Sequence, residues 1–202
     1  MTVPRLVLVT DRHATQGRDL VPLVCAALDA GAPAIQLREK DLEGGALFRL
    51  AETLRAETRA RGAALFVNDR LDVAVAVGAD GVHLGSASVP IDAARRVLPP
   101  TMQIGVSTHA VEEVAATSAD FAFFGPIYDT PSKRPFGEPQ GLDRLTAAAQ
   151  AAPVPVLAIG GVTAVTVPAL RAAGAHGVAV IRSILAADDP AAATRTLRAA
   201  LG

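Results

Sequence analysis

The chain has 202 residues, enough for one domain with a substantial buried core. Half are apolar but only 3% are aromatic, so Ala, Val and Leu must carry the packing. The 19 basic and 20 acidic residues nearly cancel, which excludes a broad basic surface for nucleic acid or anionic membrane; any basic site must be local.

Cys25 is the single cysteine, which excludes an intramolecular disulfide and a thiolate metal cluster; it reads as small core filler in an Ala-rich helix. Only five apolar or neutral residues separate Arg5 from Asp11, too few for the apolar core of a secretory signal, and no apolar run is long enough to span a bilayer. The expectation is a cytoplasmic protein whose partners are small molecules rather than nucleic acid or membrane.

In chain order, eight short β-rich runs stand out: Leu6–Thr10, Ala34–Arg38, Ala64–Asn68, Gly81–Leu84, Gln103–Ser107, Phe121–Gly125, Val156–Ile159 and Gly177–Ile181. Between them lie Ala/Leu/Arg/Glu-rich stretches such as Ala46–Arg61 and Thr163–Ala173, with apolar residues at three- to four-residue spacing. Strand then helix, eight times, predicts parallel βα units closed into a compact (β/α)8 TIM barrel, one domain over residues 1–202. The open doubly wound alternative lacks its Gly-x-Gly-x-x-Gly fingerprint, since Thr10-Asp11-Arg12-His13 follows the first strand.

Glycines at 31, 62, 78 and 174 precede the second, third, fourth and eighth strands, where they read as helix C-terminal caps on the barrel bottom. The opposite strand ends carry the chemistry. In Ile35-Gln36-Leu37-Arg38-Glu39-Lys40-Asp41, alternation puts Ile35 and Leu37 on one face and Gln36, Arg38 and Lys40 on the other, a cradle for a phosphorylated ligand or an ordinary solvated strand end. Asn68-Asp69 follows the third strand, where Asp69 either caps the next helix or ligates Mg²⁺, an ion that takes one or two carboxylates plus substrate phosphate oxygens. Gly160-Gly161 and Arg182-Ser183 end the seventh and eighth strands, the loops that recurrently hold phosphate in barrels.

The Pro-rich stretch from Gly125 to Gly141, with Thr130, Ser132, Lys133 and Arg134, is too interrupted for a helix and reads as a functional lid. The four histidines form no metal set: His83 reads as a hydrogen-bonded core residue, His176 belongs to the bottom turns, His13 to the first loop and His109 to a helix start.

The ordered set Gln36-Leu37-Arg38-Glu39-Lys40, Asn68-Asp69-Arg70, Gly81-Val82-His83-Leu84-Gly85, Ile104-Gly105-Val106-Ser107, Gly125-Pro126-Ile127, Thr130-Pro131-Ser132-Lys133 and Ala158-Ile159-Gly160-Gly161 resembles the thiamine-phosphate synthase and TenI superfamily over essentially the whole chain. The resemblance implies an enzyme that joins hydroxymethylpyrimidine diphosphate to thiazole phosphate and releases diphosphate. By motif it places Gln36, Arg38, Lys40, Asn68, Thr130, Ser132 and Lys133 around the diphosphate, with Arg38, Lys40 and Lys133 as the catalytic cations. It places Asp69 on Mg²⁺, Ser107 in the pyrimidine pocket, and Gly161, Ile181 and Arg182 at the thiazole phosphate.

Three departures stand against this pattern. Ser88 occupies the position of a second Mg²⁺-binding aspartate, Asp129 replaces a proline before Thr130, and Arg182 replaces a small hydroxyl residue. They keep open a TenI-like thiazole tautomerase, although Pro126 stands where that subfamily has its catalytic histidine, and a non-catalytic phosphate-binding regulator.

Overall fold

The computed structural model describes residues 2–129 and 138–202. Eight strands, β1 (Leu6–Val9), β2 (Ala34–Leu37), β3 (Ala64–Asn68), β4 (Gly81–Leu84), β5 (Gln103–Thr108), β6 (Phe121–Phe124), β7 (Val156–Ile159) and β8 (Gly177–Val180), close into a barrel in chain order. Every neighbouring pair is parallel, including β1 with β8. The helices are α1 (Leu20–Asp29), α2 (Gly44–Ala60), α3 (Leu71–Val77), α4 (Ile91–Val97), α5 (Val111–Ala115), α6 (Gly141–Ala151), α7 (Val167–Ala172), α8 (Arg182–Leu185) and α9 (Pro190–Leu201).

Strand alternation sorts the core into two shells. Residues such as Leu8, Ile35, Leu37, Leu65, Val67 and Val82 face outward into one continuous core with the helices. On α2, Leu47, Ala51, Leu54 and Thr58 recur at helical spacing and supply the buried stripe that covers this sheet face.

The inner shell is smaller: Val7, Val9, Ala34, Ala64, Phe66, Phe121, Phe123, Leu157 and Ala179 fill the lumen. Large and small residues interleave there. Register sets Phe66 beside Gly81, and Gly105 between His83 and Phe121. A Cβ on Gly81 would lie 2.9 Å from the Phe66 ring, and one on Gly105 only 2.3 Å from the Phe121 ring and 2.7 Å from His83 Nδ1. The two glycines therefore make the room that Phe66, Phe121 and His83 occupy, and the Phe66 and Phe121 rings meet edge to face at 5.2 Å.

The expected bottom turns are present: Gly31, Gly62, Gly78 and Gly174 all have positive φ and follow helix ends. Two aspartates tie that end further. Asp80 pairs with Arg55 at 2.6 Å and accepts the Leu65 N–H at 2.8 Å, and Asp120 pairs with Arg95 at 2.6 Å and accepts the Ile104 N–H at 2.6 Å.

Two differences from the sequence reading concern the last units. After Gly160-Gly161 the chain runs through a loop and α7 begins only at Val167, later than the Thr163 start of the stretch with helical spacing. The eighth strand is followed by the four-residue α8 and then by α9, which starts on Pro190 with Asp189 as its cap, accepting the Ala192 N–H at 2.9 Å.

Candidate active site at the carboxyl ends of the strands

The face of β2 that carries Gln36 points into the barrel, as its neighbour Ala34 does, and Gln36 is buried. Asn68 closes β3 on the same inner face. Gln36 Nε2 donates to Asn68 Oδ1 at 3.1 Å, and Asn68 Nδ2 donates to Asp69 Oδ2 at 2.7 Å. An ionised carboxylate only accepts, so it fixes the Asn68 amide, which in turn fixes Gln36 as the donor. Among the described residues, the atom of Gln36 left buried without a partner is therefore the acceptor Oε1, suited to a ligand N–H rather than to a phosphate oxygen.

Asp69 is not the helix cap that its position allowed. Arg70 occupies the cap position of α3 without a side-chain cap bond, while Asp69 takes a left-handed φ of 60°. Asp tolerates this conformation better than most residues. Its N–H donates to the His83 carbonyl at 3.0 Å, and its carboxylate reaches the loop after β4. There Oδ1 accepts the Gly85 N–H at 3.1 Å and the Ser88 hydroxyl, while the Gly85 N–H also reaches Ser88 Oγ at 2.7 Å. Ser88 thus touches the carboxylate directly. Among the described residues, Oδ2 accepts from Asn68 alone and keeps room for one further partner.

Arg38 and Lys40 lie just beyond the end of β2, one residue shorter than the sequence implied. The Arg38 N–H donates to Thr10 Oγ1 at 2.9 Å, which anchors the turn to β1. Lys40 lines a cavity of about 220 Å³ with Asn68, Asp69 and Arg70, and Arg38 and Lys40 together line a neighbouring one of about 330 Å³ with Asp11, His13, Glu39 and Asp41. Among the described residues, neither Arg38 nor Lys40 makes an ion pair.

The acidic residues of the same run are held elsewhere, a feature the sequence reading passed over. Arg12, after β1, donates two guanidinium bonds to Asp41 at 2.9 and 2.5 Å, and its backbone N–H donates to Glu39 Oε2 at 3.1 Å. His13 Nε2 lies 3.0 Å from Asp41, and these contacts hold the Asp41 carboxyl below the usual carboxylate range, the His13 hydrogen bond first and the Arg12 charge after it. The signal available in sequence was the alternation of Arg38-Glu39-Lys40-Asp41 opposite Asp11-Arg12-His13.

Ser107 is the penultimate residue of β5, its hydroxyl 3.0 Å from His83 Nε2. His83 is the buried, hydrogen-bonded residue expected, and its pKa is pushed down from 6.5 to about 3. Burial is the main cause; the Asp69 charge opposes it, and the Arg38 charge adds a smaller push downward. Whichever tautomer holds Ser107, His83 Nδ1 has no partner, so protonation would add a charge and leave an N–H unsatisfied. His109, at the start of the next loop, lies with Nδ1 2.6 Å from the Gly125 carbonyl. A carbonyl only accepts, so Nδ1 carries the proton and ties the β5 end to the β6 end.

Gly160 and Gly161 have positive φ, and the start of the β6 loop packs against them: a Cβ on Gly160 would lie 2.6 Å from Pro126 Cα, and one on Gly161 2.6 Å from Tyr128 Cβ. The Ser183 hydroxyl donates to the Val162 carbonyl, which joins the loops after β7 and β8. Ile181 packs against the lumen cluster, and Arg182 is exposed at the start of α8. Asp129 is exposed at the last described position before the proposed lid; Thr130, Ser132, Lys133 and Arg134 lie outside the described residues.

Residues 6–184 match the family described as thiamine monophosphate synthase, TMP-TENI. The chain belongs to the thiamine monophosphate synthase family.

Membership in the family is matched by close relatives along nearly the full chain. A protein from Geobacter sulfurreducens is 47% identical over 199 residues, covering 97% of this chain and 93% of the relative. A thiamine-phosphate synthase from Roseiflexus castenholzii is 47% identical over 193 residues, covering 94% of this chain and 85% of the relative. The solved structure of a thiamine phosphate pyrophosphorylase from Pyrococcus furiosus superposes with a TM-score of 0.88 at 34% identity, covering 98% of this chain and 95% of the other. Among the described residues of this family member, no helix is long and apolar enough to cross a membrane.

Proposed function

We propose that the chain is a thiamine-phosphate synthase that joins hydroxymethylpyrimidine diphosphate to thiazole phosphate and releases diphosphate. Family membership and the thiamine-phosphate synthases among its relatives support this reading over a tautomerase or a regulator. The observation that carries it is the pairing pattern at the mouth: Arg38 and Lys40 without ion pairs among the described residues, beside the Gln36–Asn68–Asp69 relay.

In this reading Arg38 and Lys40 grip the diphosphate, joined by Lys133, Thr130 and Ser132. As the bond to the pyrimidine methylene breaks, negative charge gathers on the leaving diphosphate. Cations already fixed in place stabilise that charge more in the transition state than in the ground state. The Asn68 amide bridges Gln36 to Asp69 and holds both in register. Ser107, held by neutral His83, contacts the pyrimidine, and the backbone of Gly161, Ile181 and Arg182 receives the thiazole phosphate.

The donor set suits Mg²⁺. Among the described residues there is no group of three or more His, Cys, Asp or Glu that would make an all-protein cage. Asp69 offers one carboxylate with, among the described residues, an acceptor position left on Oδ2, which suits an ion that favours one or two carboxylates together with phosphate oxygens. Asp69 would hold the ion, which would neutralise part of the diphosphate charge.

The test is direct. Purified protein, Mg²⁺ and both substrates are mixed, and thiamine phosphate and diphosphate are followed together. Formation of both in equal amounts is the expected result, and no turnover at high enzyme concentration would overturn the proposal.

A further inference from the structure

We propose that Arg12 is a positioning residue that makes the Arg38–Lys40 pair available to an anion by holding the two acids between and after them. The inference rests on the reading of Arg38 and Lys40 as the diphosphate grip.

As a sequence, Arg38-Glu39-Lys40-Asp41 is electroneutral and has no reason to attract an anion. Left to itself, each cation has a carboxylate next door, and such a run would close on itself in ion pairs. The structure resolves the run differently. Both acids turn to the loop after β1, and both meet the same residue there.

The two contacts differ in kind. Glu39 is buried, its side chain only 1% exposed, and it accepts the Arg12 backbone N–H with the guanidinium at 3.6 Å. Asp41 is half exposed and takes the two-pronged guanidinium contact, the geometry that matches Arg to a carboxylate and that Lys cannot copy. His13 Nε2 lies 3.0 Å from the same Asp41 Oδ2 that the guanidinium engages. One cation of the first loop therefore engages two carboxylates of the second, and Arg38 and Lys40 stay without ion pairs among the described residues. Net charge across the five residues becomes positive only because Arg12 is included.

The consequence is specific. Loss of Arg12 releases Asp41 to the neighbouring Lys40 and Arg38, and the site loses its attraction for an anion although neither cation has been touched. Loss of Asp41 in the same molecule should then restore that attraction, an outcome that a merely structural role for Arg12 does not produce.

Binding of inorganic diphosphate in the presence of Mg²⁺, measured by titration calorimetry, reads this directly, with circular dichroism to confirm folding. Wild type is expected to bind. Arg12→Gln, which leaves the backbone N–H donated to Glu39 in place and removes the guanidinium charge, is expected to weaken binding by about tenfold. Arg12→Gln with Asp41→Asn is expected to recover most of that loss, and Asp41→Asn alone to bind at least as well as wild type. With the pyrimidine diphosphate as substrate, the Arg12→Gln effect should fall on KM more than on kcat.

Unchanged binding in Arg12→Gln overturns the inference, and so does a loss that Asp41→Asn does not reverse. Should Arg12→Gln fail to fold, Arg12→Lys carries the same test: it keeps the charge without the two-pronged contact, so equal affinity to wild type overturns the inference and a loss reversed by Asp41→Asn supports it. Failure of wild type itself to bind diphosphate would instead refute the assignment of the grip, and this inference with it.

Discussion

His83 gives the sharpest stability prediction, because it is a base kept neutral by burial. Its folded-state pKa lies near 3 against 6.5 in an unfolded chain. Between those values the unfolded state binds a proton that the native state refuses, so acid favours unfolding. The contribution is intact above about pH 6.5 and declines as pH falls toward 3. The slope approaches about 1.4 kcal/mol per unit below about pH 6, so lowering the pH from 6.5 to about 4.5 should remove about 2 kcal/mol. Carboxylates also titrate at the lower end, which is why the comparison must be a difference. Urea unfolding of wild type and His83→Gln, in chelator-containing buffer, is run across this range. The stability of wild type relative to the variant should shrink by about 1.4 kcal/mol per unit as pH falls. A separate readout is carbon NMR of the four histidines: the resonance missing in His83→Gln should not titrate down to about pH 4.5 in wild type. Titration of that resonance near 6, or parallel slopes in the two proteins, would show that the imidazole is not desolvated and refute the argument.

Three further outcomes follow from the geometry. Asp69→Asn preserves a residue type that tolerates the positive φ of 60° but removes the charge, so thermal stability should hold while the Mg²⁺ dependence of turnover collapses; unaltered Mg²⁺ dependence would place the ion elsewhere. Gly161→Ala adds a Cβ at 2.6 Å from Tyr128 at a φ of +69°, and denaturant unfolding should show a loss of about 1–3 kcal/mol together with a raised KM for thiazole phosphate. Asp80→Ala leaves Arg55 and the Leu65 N–H without their acceptor at the bottom of the barrel, so stability should fall by about 3 kcal/mol while kcat/KM at a permissive temperature stays near wild type.

The barrel was legible because most strands are short, near-continuous apolar runs, buried on both faces, and the bottom glycines mark where helices stop. What the pattern could not show were strand ends, since Thr10, Arg38, Gly125 and Ile181 continue the composition of their strands while their backbones leave the ladder. Nor could it choose between Asp69 as cap and Asp69 as ligand. That choice depends on a left-handed φ, and on two contacts from a different strand's loop, Gly85 and Ser88. Arg12 was missed for a related reason: its partner Asp41 lies 29 residues away, and the pairing arises only because β1 and β2 are neighbours in register.

The same packing that fills the lumen also sets the charge at its mouth. Gly105 admits the His83 ring next to Phe121 and Phe123, and that apolar company keeps the imidazole uncharged. A cationic His83 would compete for Asp69, whose pull it already feels, and would repel Arg38. Among the described residues, the Asp69 carboxylate is met by the Asn68 amide, the Gly85 N–H and the Ser88 hydroxyl, none of which carries a charge. A second carboxylate in place of Ser88 would sit against the first and require a cation to hold the two together; a hydroxyl there instead donates to Asp69 and lets the loop close without one. The Asp69 cluster is thus hydrogen-bonded on its own, and the Mg²⁺ ion proposed above would compete with those bonds and owe a greater share of its binding to the substrate diphosphate.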